Sequence, residues 1–76
     1  MEATVFQNYV LDLGTLITQM AIDAKSTKLQ SPNPYQLGRL MAFHEIVSLM
    51  QSQAQVFGIP LSAIGLADIN PEKDLL

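Results

Sequence analysis

The chain has 76 residues, and seven acidic side chains against four basic ones give it a formal net charge of −3. A chain of this length forms one domain, whose core rarely supplies more than about 3–5 kcal/mol by itself. The absence of cysteine and the presence of a single histidine exclude disulfides and thiolate sites and disfavour an intrachain zinc site, so we expect no metal and no cofactor. The basic residues are scattered, and we therefore expect no binding to nucleic acid or to an anionic membrane surface.

Hydrophobic residues make up 49% of the chain and charged residues only 14%, against about 25% charged in a typical soluble domain. So few charges are poorly suited to cover the surface of a small monomer, which favours oligomerisation. No apolar run is long enough for a transmembrane span, and the first ten residues lack the basic and apolar regions of a secretory signal. A cytoplasmic location is the expectation.

Residues 3 to about 27 are predicted to form a first helix, because apolar residues recur there at steps of three and four. The residues of this helix that we assign to a core or an oligomer interface are Phe6, Leu13, Ile17 and Met20. Gly14 lies at the edge of the apolar side. It either allows another helix to approach closely or is tolerated at a cost of up to about 1 kcal/mol.

A second helix is predicted from about residue 34 to residue 57, after a loop over residues 28–33 that contains Pro32. Its start is the most specific local signal in the chain: Asn33 is an N-cap, Pro34 occupies the first helical position, and Gln36 can complete a capping box. The residues of this helix assigned to the core or interface are Leu40, Phe43, Val47, Met50 and Phe57. The apolar residues span an arc of about 220° around the helix.

The predicted end of the second helix is Gly58 in a left-handed conformation, with Ile59 packing back and Pro60 preventing continuation. Short helical turns are expected over residues 61–65 and 70–76, the second one capped by Asn70. Helices this short are marginal by themselves, so we expect this tail to fray unless a partner holds it.

The predicted fold is all-α: an antiparallel helical hairpin of two long helices with a short C-terminal helical appendage. Apolar stripes this wide exceed what one hairpin can bury, and an isolated hairpin would expose a large apolar strip on each helix. A twofold homodimer that forms a four-helix bundle is the simplest closed solution. A hetero-complex, a larger homo-oligomer, or a monomer whose tail covers the open face are the alternatives.

The best functional hypothesis is a small non-enzymatic protein-protein interaction or regulatory protein that acts as a homo-oligomer and binds itself, another protein, or both. The alternative is a carrier of a small apolar ligand or lipid, which would need an enclosed apolar cavity in the bundle. An enzyme would need polar groups to converge on His44, the only side chain that titrates near neutrality unaided. The sequence places no catalytic partner beside His44. We therefore interpret His44 as a half-buried residue that makes a polar contact, possible in the oligomer interface.

Overall fold

A computed structural model describes residues 3–76, and over this range the chain is an all-α helical hairpin, as predicted. Helix α1 spans Ala3–Gln30 and helix α2 spans Pro34–Val56. They are followed by a 3-10 turn, Leu61–Ile64, and by a single helical turn, α3, at Pro71–Asp74. None of the helices in this range is long and apolar enough to cross a membrane.

Helix α1 continues three residues past its predicted end at residue 27. Lys28, Leu29 and Gln30 contain no helix breaker, and the Ser31 amide still donates to the Thr27 carbonyl at 2.8 Å. The chain leaves the helix only where Pro32 disfavours a helical conformation for the residue before it. The connection between the two long helices is therefore shorter than the predicted loop.

Helix α2 begins at the predicted cap. Asn33 is extended, with φ −152° and ψ 167°, and its Oδ1 accepts from the Gln36 amide at 2.9 Å. The Gln36 side chain does not complete the capping box, because its Oε1 is buried without a hydrogen-bond partner. The boundary is fixed by Asn33 and Pro34 alone.

Helix α2 ends in the predicted left-handed glycine. Gly58 has φ 67°, its amide donates to the Gln55 carbonyl at 3.1 Å, and the Ile59 amide donates to the Ala54 carbonyl at 2.8 Å. These two bonds define a Schellman motif. The motif reverses the chain, and residues 59–76, called the strap below, run back along the hairpin.

The strap lies in the groove between the two long helices and extends towards the loop that joins them. Near its start, Thr18 Oγ1 donates to the Gly65 carbonyl at 3.2 Å, and near its end the Lys25 ammonium donates to the Leu76 carbonyl. Ile69 is 4% exposed and Leu75 is 1% exposed. The expectation of a fraying tail is therefore not met, since the rest of the same chain takes the role we assigned to a partner.

The strap supplies a large share of the core. The buried apolar residues are Ala21, Ala24, Leu40, Val47, Ala54, Ile64, Leu66, Ile69 and Leu75. Helix α1 contributes only alanines to this set, which lets the other elements approach it closely, and the largest fully buried side chains are Leu66, Leu75 and Val47. Burying each of these three stabilises the fold by about 1.5–3 kcal/mol, so the strap is a structural element of the domain.

Two glycines allow the strap to cross α1 in backbone contact. A Cβ on Gly14 would lie 1.6 Å from the Ile64 carbonyl oxygen, and a Cβ on Gly65 would lie 2.5 Å from the Leu11 carbonyl oxygen. Gly65 also has φ 72°, a conformation that favours glycine. Gly14 therefore allows another segment to approach α1 closely, which was one of the two interpretations from the sequence. The segment that approaches is the strap and not a second long helix.

Candidate functional site: an uncovered apolar face

One side of α1 carries a row of large apolar side chains that the fold leaves in solvent. The row follows steps of three and four along the helix, and its members are between 38% and 63% exposed: Phe6, Tyr9, Leu13, Leu16 and Met20. The strap contacts α1 elsewhere, at Leu11, Thr15 and Thr18. With about 100° between successive residues, the row points away from these strap contacts.

Helix α2 carries a matching row. Read towards its N-terminus, the row again follows steps of four and three: Phe57, Gln53, Met50, Ile46, Phe43 and Arg39. Phe57 is 72% exposed and Ile46 is 45% exposed, whereas Phe43 and Met50 are half-buried against the core. The strap contacts the other side of α2, where the Gln51 side chain binds it.

The two rows belong to one surface of the hairpin. The strap packs against both helices from one side, and each row lies on the opposite side of its helix. Together with Leu49, which is 64% exposed beside Ile46 and Met50, the two rows are called the uncovered face below. A half-exposed aromatic or large aliphatic residue presents on the order of 100 Å², so the eight more exposed apolar members present roughly 800 Å², the amount that one partner contributes to a standard interface.

Charge is sparse on the uncovered face and is confined to one end of it. Arg39 ends the α2 row near the interhelical loop, and its guanidinium carbon lies 5.4 Å from the centroid of the Phe43 ring, in cation–π range. Asp23 continues the α1 row one step of three past Met20 at the same end. Within residues 3–76 neither Asp23 nor Arg39 forms an ion pair.

The structure divides the residues assigned from the sequence to a core or an interface into three groups. Leu40 and Val47 are buried in the core. Half-buried residues that pack against the core are Ile17, Phe43 and Met50. Residues that stand on the uncovered face, at 38% exposure or more, are Phe6, Leu13, Met20 and Phe57.

His44 lies on the strap side of α2. Its side chain is 21% exposed, and Nε2 is 3.2 Å from Oε1 of Glu72, whose side chain is 75% exposed. The contact is within the chain and holds α3 against α2, whereas the sequence placed His44 at a possible interface between copies. A polar contact this exposed contributes at most about 1 kcal/mol.

The surroundings of His44 offer polar groups in an open setting. A cleft of about 750 Å³ lies between the polar side of α2 and residues 67–74 of the strap and opens to solvent; Glu72 lines it, but His44 does not. Across residues 3–76, no three His, Asp or Glu side chains converge as metal ligands. The His44–Glu72 pair has the composition of an acid–base pair, but its described contact is a structural one between the strap and α2.

Gln51 is the most important polar residue that the sequence did not reveal. Its Nε2 donates to the Leu66 carbonyl at 3.1 Å and to the Ile69 carbonyl at 2.8 Å, so one amide group binds the strap backbone at two points. A glutamine at the edge of an apolar helix face is an ordinary surface residue in most helices. Only the position of the strap, 15 to 18 residues further along the chain, gives it this role.

Comparison with known proteins adds no relative: the chain matches no family model, no curated protein and no solved structure.

Proposed function

We propose that this chain is a small non-enzymatic protein that works by associating with other proteins, and that it does so as a homodimer. The uncovered faces of two copies would meet and form a four-helix bundle. The observation that carries the proposal is the pair of apolar rows on one face of the hairpin, opposite the strap. An apolar patch on a typical monomer covers about 300–600 Å², and larger ones mark interaction sites.

A second copy fits this face for a geometric reason. The steps of three and four in both rows are the spacing at which helices pack side by side at a small crossing angle, with the side chains of one row filling the gaps of another. Each copy presents one such row on each helix, so two hairpins can meet through identical surfaces. The joint interface would bury about 1,600 Å², which is standard for a specific complex.

Size supports the same proposal. A chain of 76 residues leaves more of its surface exposed than a larger domain, and a core of this size gives only modest stability. Pairing two hairpins turns Phe43 and Met50, now half-buried, into members of a shared interior. The strap side is the less continuous apolar surface, because the strap fills the groove between the helices and polar residues line much of the cleft beside it, although Ile22 and Met41 are also about half-exposed there.

The proposal predicts that a charge on the uncovered face separates the copies while the same change on the other side does not. Leu16→Asp places a carboxylate in the middle of the α1 row, where dimerisation would bury it without a partner. Ile22→Asp is the matched control, since Ile22 is 51% exposed and Leu16 is 49% exposed on the same helix. Ile22 lies six positions after Leu16, which rotates it by about 120° from Leu16 and away from the α1 row.

We expect light scattering to give twice the chain mass for Ile22→Asp and the single-chain mass for Leu16→Asp at the same micromolar concentration. Circular dichroism should show both variants helical, because both positions are half-exposed. If both variants had twice the chain mass, the uncovered face would not be the dimer interface.

A further inference from the structure

We infer that the two copies meet with their interhelical loops at the same end, so that α1 of each copy packs on α2 of its partner at equal height. This inference rests on the proposed homodimer and specifies its arrangement. Two hairpins stacked face to face have two twofold arrangements. A twofold axis parallel to the helices puts both loops at one end and brings α1 onto the partner's α2. An axis across the helices puts the loops at opposite ends and brings α1 onto the partner's α1.

The apolar rows match along their whole length in the arrangement with both loops at one end. The hairpin reverses at residues 31–33, so residues whose numbers add up to about 63 lie at about the same height on α1 and α2. This relation places Phe6 level with the partner's Phe57, Leu13 level with the partner's Met50, and Met20 level with the partner's Phe43. Each large apolar residue of one row therefore meets a large apolar residue of the other.

The intermediate members of the rows follow the same relation. Leu16 lies level with the partner's Ile46, and Tyr9 lies level with the partner's Gln53, whose amide can accept or donate a hydrogen bond at the phenol. One row ascends in steps of three and four while the other descends in steps of four and three. The rows therefore stay in register over their whole length, as in packed antiparallel helices.

The charged ends of the rows agree with this arrangement. Asp23 lies level with the partner's Arg39, and the twofold axis creates this pair of opposite charges twice. Neither side chain has an ion-pair partner in the part of the chain that the structure describes. Opposite charges that flank an apolar seam select partner and orientation in helical assemblies.

The arrangement with loops at opposite ends matches less well at the ends of the rows. In this arrangement α1 of one copy runs antiparallel to α1 of the other, and the two helices overlap fully when Ala3 lies opposite the partner's Gln30. Residues whose numbers add up to about 33 then face each other. Phe6 would then face the partner's Thr27, and Asp12 would lie within about two residues of the partner's Asp23. Leu13 would still face the partner's Met20, but Phe6 would lose its aromatic partner and like charges would approach each other. Sliding the copies until each Leu13 meets its own copy would pair the α1 row with itself, but it would leave residues 24–39 of each copy outside the contact and Arg39 without Asp23.

Single-cysteine variants test the inference on a chain that has no cysteine of its own. Leu16→Cys and Ile46→Cys change half-exposed positions, so each variant should keep its helices, as circular dichroism can check. A disulfide requires Cα atoms within about 7 Å. With both loops at one end, Cys at position 16 of one chain lies next to Cys at position 46 of the other, whereas two chains that both carry Cys at position 16 hold them diagonally apart.

We expect mild oxidation of an equal mixture of Leu16→Cys and Ile46→Cys chains to give a linked heterodimer, about tenfold in excess over the linked homodimer of Leu16→Cys. A polyhistidine tag on one chain separates the products by mass on a non-reducing gel. Efficient linkage of Leu16→Cys to itself would overturn the inference in favour of loops at opposite ends. Absence of all linkage in a chain that light scattering shows to be dimeric would also overturn it, and a monomeric parent chain would instead overturn the proposed function.

Discussion

Gly14→Ala should lower the melting temperature by about 10 °C or more, although alanine is the better helix former. The new Cβ would lie 1.6 Å from the Ile64 carbonyl oxygen, which is backbone and cannot move away as a flexible side chain would. Either α1 or the strap must shift, and releasing the strap exposes Leu66 and Leu75 at about 1.5–3 kcal/mol each. The gain of about 1 kcal/mol in helix propensity does not offset this loss, and in a domain of this size 1 kcal/mol corresponds to about 4–8 °C.

Gly38→Ala is the matched control. Gly38 lies inside α2, and a Cβ there would meet nothing within 4 Å. We expect this variant to melt at the parent temperature or slightly above it, by up to about 1 kcal/mol of added stability. Trypsin adds a local measurement, because release of the strap should speed cleavage at Lys73 in Gly14→Ala alone. Equal melting temperatures for the two variants would show that the strap does not cross α1 at Gly14.

Val47→Asp should unfold the protein. Val47 is 0% exposed, at the centre of the buried cluster, and a carboxylate there has no ion-pair or hydrogen-bond partner waiting for it. An unpaired buried polar group costs several kcal/mol, about the whole stability expected of a core this small. Far-ultraviolet circular dichroism and thermal denaturation would show a loss of helix and of the cooperative transition.

Val5→Asp makes the same chemical change at a position that is 48% exposed in the first turns of α1. A carboxylate near a helix N-terminus is favoured by the helix dipole, so the change in stability should stay below about 1 kcal/mol. A folded Val47→Asp variant that melts with the parent would mean that Val47 does not face the core.

The parts of the fold that depend on neighbouring residues could be predicted from the sequence. Asn33 followed by proline starts α2, and Gly58 followed by Ile59 and Pro60 ends it, because a cap is formed by atoms within a few residues of one another. Asn70 repeats the pattern at α3, where its Oδ1 accepts from the amides of Glu72 and Lys73.

The docking of the strap could not be predicted in the same way. It depends on the close contact of Gly14 in α1 with the strap at Gly65, two residues that are far apart in the sequence. It also depends on the two hydrogen bonds that Gln51 donates to the strap backbone. Helical periodicity shows how wide the apolar stripe of a helix is, but it does not show which part of that stripe packs against which neighbouring element. The stripes of both helices were wide for this reason: one edge of each is covered by the strap, and the other edge forms the uncovered face.

The mass of the unmodified protein in solution tests the central claim most directly. One chain has a mass of 8.3 kDa, and light scattering during gel filtration measures mass independently of shape, which matters for an elongated hairpin. Association through two uncovered faces predicts twice the mass of one chain at micromolar concentration, falling towards the single-chain mass only on strong dilution. A value near 8.3 kDa at every concentration would contradict the claim.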